Sequence, residues 1–116
     1  MFAYAFVVPN AAVAENRIFQ ALADPSRRAI FESLTLGETT VKDLTARFAI
    51  SQPAVSQHLA TLRNAGLVHG RRAGRRVYYR VRPRGLKPLL DWVAHYRVFW
   101  MEHVVRLERL LEKMDR

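Results

Sequence analysis

The segment SQPAVSQHLATLRNAGLV, residues 51–68, combines side chains that are suited to reading nucleotide bases. The spacing of Val55, Leu59 and Leu62 predicts a buried helical stripe. A repeat of about 100° per residue then turns Pro53 and Gln57 outward. Gln can form two hydrogen bonds with adenine, Ser can bond to any base, and Pro or Ala can contact a thymine methyl group. The base-reading candidates are Gln52, Pro53, Ser56, Gln57 and Thr61. An ordinary exposed helix with a good N-terminal cap is the alternative.

Cationic side chains are concentrated in the middle of the chain. The 116 residues carry a formal net charge of +9, yet no Asp or Glu lies between Leu44 and Leu90. Within this block, residues 70–80 read GRRAGRRVYYR. An arginine-tipped ribbon can follow a phosphate backbone or enter a minor groove, where negative potential favours the guanidinium. The candidates for these contacts are Lys42, Arg63, Arg71, Arg72, Arg75, Arg76 and Tyr78. A charged edge that protects a small sheet from aggregation is the alternative.

Helix caps and turn signals show which elements position these side chains. Asp24 followed by Pro25 is typical of a helix start, and Thr40 with Asp43 resembles a capping box. Ser51 caps a further helix, so that two helices three or four residues apart form a helix-turn-helix. The predicted elements are helices over 13–23, from 25 to near 37, over 40–48 and 51–65, a hairpin that pairs 67–72 with 75–81 around Gly74, and a long helix over 86–114.

This order of elements predicts a fold that is mainly α with a small β-hairpin wing. This architecture is a winged helix-turn-helix with a C-terminal helical extension. The expected organisation is an N-terminal arm of unknown role over 1–12, a DNA-binding domain over 13–85 and a C-terminal dimerisation helix over 86–116.

The last helix carries more apolar surface than one small monomer can cover. Apolar side chains recur in steps of three and four from Leu86 to Met114, and Phe99 widens the stripe. Exposed patches of this size mark association surfaces, although a larger monomeric core is the alternative. The predicted interface residues are Phe19, Leu89, Val93, Tyr96, Trp100, Val104, Leu107 and Leu111. A two-fold dimer would place two recognition helices about 34 Å apart, on successive faces of the major groove.

The sequence offers no pattern for catalysis, disulfide formation or membrane insertion. There is no cysteine, and we find no nucleophile elbow, P-loop, dinucleotide fingerprint or metal triad. No apolar run is long enough for a membrane span, and the apolar start lacks the basic region of a signal peptide. The sequence therefore predicts a cytoplasmic protein that is not an enzyme and has no cofactor and no membrane partner.

Several motifs together resemble the ArsR family of bacterial winged helix-turn-helix repressors. They are Ala23-Asp24-Pro25 followed by Arg27-Arg28, then Val55-Ser56-Gln57-His58-Leu59, then Ala65-Gly66-Leu67-Val68, and finally Gly74 with Tyr78-Tyr79. The resemblance covers roughly residues 16–90. It implies a homodimer whose first and last helices form the interface, and which represses transcription by binding an imperfect inverted repeat near its own promoter.

The metal-sensing motifs of that family are not matched. One motif reads ELCVCDL, whereas residues 38–44 read ETTVKDL, so both thiol positions are lost. The other, D-x-H-x10-H-x2-E, would start at Asp91 on the last helix. Its remaining positions hold Val93, Val104 and Leu107. Because apolar side chains supply no lone pairs, we expect no metal site. His95 and His103, on the same helix, leave a two-subunit site as the alternative.

The sequence therefore predicts a homodimeric repressor of transcription that binds an inverted-repeat operator in double-stranded DNA, associates with the nucleoid when bound and can regulate its own gene. Two other functions remain open. One is a sensor gated by a small ligand at the dimer interface, near Trp92 and Trp100. The other is a protein-interaction module whose basic hairpin binds an acidic protein.

Overall fold

The computed structural model describes the backbone of residues 10–115 and the side chains of residues 13–115. Of the arm predicted over 1–12, residues 10–12 belong to the first helix, and 1–9 lie outside the described residues. The helices are α1 (Asn10–Ala23), α2 (Pro25–Leu34), α3 (Val41–Phe48), α4 (Gln52–Asn64) and α5 (Lys87–Met114). The strands are β1 (Thr39–Thr40), β2 (Val68–Ala73) and β3 (Arg76–Val81), and a 3-10 turn, Pro83–Leu86, joins β3 to α5.

Short polar side chains start three of these helices, as the sequence predicted. In each case an oxygen of the capping residue accepts a hydrogen bond from a backbone N–H that has no carbonyl partner inside its helix. The pairs are Asp24 with Arg27 at 3.0 Å, Thr40 with Asp43 at 3.1 Å and Ser51 with Ala54 at 3.2 Å. Between α3 and α4, Ala49 adopts a left-handed conformation with φ of 54°, which turns the chain toward α4.

The hydrophobic core lies between α1, α2, α3, α4 and the sheet. Its largest fully buried side chains are Ile18, Ile30, Leu44, Val55, Leu59, Leu62, Leu67 and Val68. Three of them, Val55, Leu59 and Leu62, form the inner face of α4, as their spacing predicted. Burying one such side chain contributes roughly 1.5–3 kcal/mol, so the core fixes which face of α4 remains outside.

The sheet has three strands in the order β1-β3-β2, one more than the predicted hairpin. In β1, Thr39 lies opposite Tyr79 and Thr40 opposite Tyr78. Two threonines are too few to produce an alternating pattern, so this strand could not be predicted from the sequence. β1 joins the hairpin to the start of α3.

The hairpin turn is displaced by one residue from the prediction. Ala73 pairs with Arg76, so the two turn residues are Gly74 and Arg75, whereas the predicted pairing left Ala73 and Gly74 in the turn. Gly74 has φ of 64° and occupies the first turn position, where two-residue hairpins favour glycine. Arg75 therefore lies at the very end of the hairpin.

A close backbone contact fixes the direction in which α5 leaves the domain. A Cβ atom on Gly85 would lie 2.0 Å from the carbonyl oxygen of Gly66, so only glycine fits at this position. Nearby, the backbone N–H of Arg82 donates to the carbonyl of Leu67 at 2.9 Å.

Most of α5 extends beyond the domain. Its start packs Leu89 against the core and Trp92 against Phe19 of α1, with the two rings 5.5 Å apart. From Leu90 to the end of the described chain every residue is exposed. The radius of gyration is 19.1 Å, compared with about 13 Å for a compact chain of this length. Within residues 10–115, none of the helices combines the length and apolar character that crossing a bilayer requires.

Candidate nucleic-acid interface

The outward face of α4 is uncharged over its first two turns. Gln52, Pro53, Ser56 and Gln57, which we call the reading face, are all exposed, whereas Val55 among them is fully buried. The structure therefore brings together four of the five predicted base-reading residues. Their amide and hydroxyl groups can bond to base edges, because no long charged side chain holds this face away from a partner.

Thr61 lies apart from the reading face. Helical geometry places it about 40° beyond Gln57 and one turn further along α4. It is half-buried and lines a cleft of about 750 Å³ together with Arg17, Gln20 and Asn64. Its hydroxyl donates to the backbone carbonyl of Gln57 at 3.2 Å. Since its proton is used inside the helix, Thr61 can offer a base only the lone pairs of its oxygen.

The wing, formed by β2, β3 and their turn, carries three exposed arginines at its end. These tip arginines are Arg72, Arg75 and Arg76. None of them forms an ion pair with any residue in the described part of the chain. Three uncompensated positive charges within five consecutive residues suit contact with phosphates.

Arg71, in contrast, is already paired. Its Nε and Nη2 donate to the two carboxylate oxygens of Glu38 at 3.1 and 2.6 Å. Its guanidinium carbon lies 4.9 Å from the centre of the Tyr78 ring. The hydrogen bonds from Arg71 lower the pKa of Glu38, and the same bonds raise the pKa of Arg71. Two of the predicted backbone contacts, Arg71 and Tyr78, are therefore in contact with each other, and Arg71 is also paired with Glu38.

No sequence pattern indicated the pair of Glu38 and Arg71. They are 33 residues apart and meet only because β1, β3 and β2 form one sheet. The two tyrosines lie on opposite faces of β3: Tyr79 packs against the core, and Tyr78 contacts Arg71 on the other face.

The remaining cationic candidates lie on the helix-turn-helix itself. Lys42 is exposed in the first turn of α3, and Arg63 is exposed in the last turn of α4. At about 100° per residue, Arg63 lies on the same side of α4 as Gln52 and Ser56, about two turns beyond Ser56. It is therefore placed to reach a phosphate beside the bases that the reading face would contact.

The positions of the family's metal-sensing motifs hold no cluster of ligands. Within residues 13–115, no three His, Cys, Asp or Glu side chains converge on a common point. Thr40 caps α3, and Lys42 is exposed. The Nδ1 atom of His103 lies 2.7 Å from the carbonyl oxygen of Phe99, and the ring of His95 packs against Tyr96. The positions on α5 hold the exposed apolar residues Val93, Val104 and Leu107.

The predicted dimer interface forms one long apolar face of α5. The face includes Val93, Tyr96, Trp100, Val104, Leu107 and Leu111, which together with Phe19 of α1 are each 41–57% exposed. Leu89 differs because it packs against the core of its own domain. A second apolar stripe, formed by Leu90, Val98, Met101 and Val105, is also exposed and is centred about 115° around the helix from this face.

Comparisons with known proteins agree with this architecture. The chain matches the model of bacterial regulatory proteins of the arsR family over residues 24–69. It is 33% identical over 81 residues to the transcriptional repressor SdpR of Bacillus subtilis, a match that covers 70% of this chain and 90% of that protein. It is 49% identical over 74 residues to the HTH-type transcriptional regulator Rv2034 of Mycobacterium tuberculosis, a match that covers 64% of this chain and 69% of that protein. The crystal structure of an ArsR family transcriptional regulator matches this chain with a TM-score of 0.69 and 31% identity. The match covers 76% of this chain and 97% of that one.

The matched residues 24–69 extend from the cap of α2 to the beginning of β2 and so contain the whole helix-turn-helix. The similarity to a solved regulator confirms the predicted winged helix-turn-helix fold. The similar proteins are transcriptional regulators, which are not enzymes, and this confirms the prediction of a non-enzymatic protein. The chain belongs to the ArsR family of DNA-binding bacterial transcription regulators.

Proposed function

We propose that this regulator is a homodimeric repressor that binds an inverted-repeat operator in double-stranded DNA and occludes a promoter, with its own promoter as the first candidate target. Its proposed site of action is the bacterial cytoplasm, on nucleoid DNA. The observation that carries this proposal is the pairing of an uncharged reading face on α4 with uncompensated arginines at the wing tip. One surface suits base edges and the other suits phosphates.

The reading face would enter the major groove through the first two turns of α4. Gln57 can form two hydrogen bonds with the N6 and N7 atoms of adenine, and Ser56 can donate to or accept from any base. Ser51 takes no part in this reading, since its hydroxyl oxygen caps α4. One correct bidentate contact contributes roughly 1–3 kcal/mol of discrimination against the wrong base.

The tip arginines would bind phosphates or the adjacent minor groove. Phosphate contacts strengthen binding to every sequence and position the protein, but they do not specify bases. Lys42 and Arg63 are exposed on α3 and α4 and are proposed as further phosphate contacts.

The exposed face of α5 would pair two copies of the chain. Aromatic side chains dominate the energetics of protein interfaces, and Tyr96 and Trp100 lie along this face, with Trp92 packed beside Tyr96. A two-fold axis between the helices repeats the reading face at a second half-site about 34 Å away. A palindromic operator is the expected consequence.

Selection of bound fragments from random duplex DNA tests the proposal. We expect an inverted repeat whose half-sites are centred about 10 base pairs apart. We also expect a preference of about a thousandfold or more over random DNA at physiological salt. Weak binding without sequence preference would overturn the proposal and favour a protein-interaction module with a basic wing.

A ligand-gated form of the same repressor is a second candidate, because aromatic rings cluster where α1 meets α5. The ring of Trp92 lies 5.5 Å from Phe19 and 5.0 Å from Tyr96. A planar apolar ligand could stack in such a cluster. A thermal-shift screen of small organic compounds tests this form, since a ligand that binds only the folded state raises Tm with concentration.

A further inference from the structure

We propose that Glu38 and Arg71 form an anchor that holds the wing at a fixed angle to the helix-turn-helix. Arg71 is then a positioning residue, in place of the phosphate contact that its sequence context suggested. This inference rests on the proposed function, in which the wing binds DNA next to the reading face.

The ion pair bridges the two outer strands of the sheet. Glu38 directly precedes β1, and Arg71 lies in β2, with β3 between the two strands. β1 contributes only two residue pairs to the sheet, opposite Tyr78 and Tyr79. A bond from Glu38 across β3 therefore strengthens the shortest connection between the wing and α3, which begins immediately after Thr40.

The guanidinium of Arg71 is held both along its edge and over its face. Its edge donates two hydrogen bonds to one carboxylate, a fork geometry that fixes orientation as well as distance. Its face lies over Tyr78, the residue directly opposite Arg71 in the β2–β3 pairing. Because the Arg71 guanidinium is restrained in two directions, it also restrains β2, even though its pair with Glu38 lies on the surface.

Arg71 differs from the tip arginines because its positive charge has an acidic partner. Glu38 compensates the charge of Arg71, whereas Arg75 has no acidic partner within the described residues. A carboxylate beside a phosphate-binding wing weakens the attraction to DNA. The presence of the Glu38 carboxylate is explained if the pair maintains the geometry of the wing. The tip arginines then contact the DNA backbone while α4 lies in the major groove.

A salt titration of operator binding tests this assignment. The double variant Glu38→Gln with Arg71→Gln removes the pair without changing the net charge. We expect it to bind the operator about twofold to fivefold more weakly, the range of a surface ion pair, with an unchanged dependence on salt. The single variant Arg75→Gln, on the same wing, is expected to reduce the slope of log K against log salt by about 0.9. If the double variant loses the same slope, Arg71 contacts phosphate and the anchor is wrong.

The variant Glu38→Gln alone distinguishes an anchor from a latch. At a salt concentration that screens the added positive charge, an anchor predicts weaker operator binding, because the wing loses its fixed angle. A latch, in which DNA takes Arg71 from Glu38, predicts tighter binding and a steeper salt slope. Tighter binding would overturn the proposal.

Hydrogen exchange in the free protein tests the anchor without DNA. In the double variant we expect faster exchange of the backbone amides of residues 39–40 and 78–80, and in Arg75→Gln we expect rates like those of the original protein. Unchanged rates in the double variant would overturn the anchor. If no form of the protein binds any duplex, the proposed function fails, while the exchange rates still decide whether the anchor exists.

Discussion

α4 and α5 each leave one face exposed, but the two faces differ in chemistry. α4 buries Val55, Leu59 and Leu62 and presents short uncharged polar groups to solvent. α5 has no fully buried residue and presents aromatic and aliphatic side chains along most of its length. The exposed face of α4 can satisfy the hydrogen-bonding groups of a nucleic acid, whereas that of α5 gains free energy only by leaving water. In the proposed repressor, DNA recognition and self-association would therefore lie on separate helices.

The largest expected effect is loss of the support behind the reading face. Replacing Leu59 by Ala leaves a cavity under α4 and should reduce the free energy of unfolding by about 2–5 kcal/mol. Denaturant unfolding measures this change. A loss below about 1 kcal/mol would mean that α4 is not held by the core as described.

The next effect concerns α5. A buried aromatic residue at an interface is commonly worth about 2 kcal/mol or more, so Trp100→Glu should convert dimers to monomers and weaken operator binding more than about thirtyfold. Val98→Glu places the same charge on the second apolar stripe and serves as the matched control. Analytical ultracentrifugation measures both variants. If the dimer persists in Trp100→Glu but dissociates in Val98→Glu, the interface lies on the second stripe instead.

A smaller effect is expected at the start of α3. Thr40→Ala removes the N-cap and should cost about 1 kcal/mol of stability. Thr45→Ala is the control, because the hydroxyl of Thr45 only donates back to the carbonyl of Val41 inside the helix. Thermal unfolding separates the two variants, and equal shifts in Tm would contradict the capping role.

The smallest effect is a dependence on pH at the wing. Hydrogen bonds from Arg71 lower the pKa of Glu38 from its ordinary value of 4.5, so the folded pKa lies below the unfolded pKa. The stabilisation from this pair is therefore complete above pH 4.5 and is lost as pH falls through the lower folded pKa. An NMR titration of the Glu38 carboxyl should give a midpoint below 4.5. A midpoint at or above that value would contradict the pairing.

Features set by neighbouring residues could be predicted from the sequence. The caps at Asp24, Thr40 and Ser51 each bond to an amide three residues ahead, so local residue types were sufficient. The spacing of Val55 and Leu59 likewise determined which face of α4 is outside. These two kinds of local signal were enough to predict the helix-turn-helix and its reading face.

Features that depend on distant contacts could not be predicted. β1 has only two residues, and its pairing with β3 comes from the folded sheet. The same sheet joins Glu38 to Arg71 across 33 positions, which changed the interpretation of Arg71. The turn was displaced by one residue because Gly74 suits either central position of a two-residue loop. The fold class was therefore accessible from the sequence, whereas the state of each arginine in the wing was not.

The division of labour between the reading face and the tip arginines is tested most directly by comparing two variants on two DNAs. Dissociation constants are measured for Gln57→Ala and Arg75→Gln with the selected operator and with random duplex at several salt concentrations. We expect Gln57→Ala to weaken operator binding by about 1–3 kcal/mol and leave random binding unchanged. We expect Arg75→Gln to weaken binding to both DNAs equally and to reduce the magnitude of the slope of log K against log salt by about one. Equal losses on both DNAs for both variants would contradict the account.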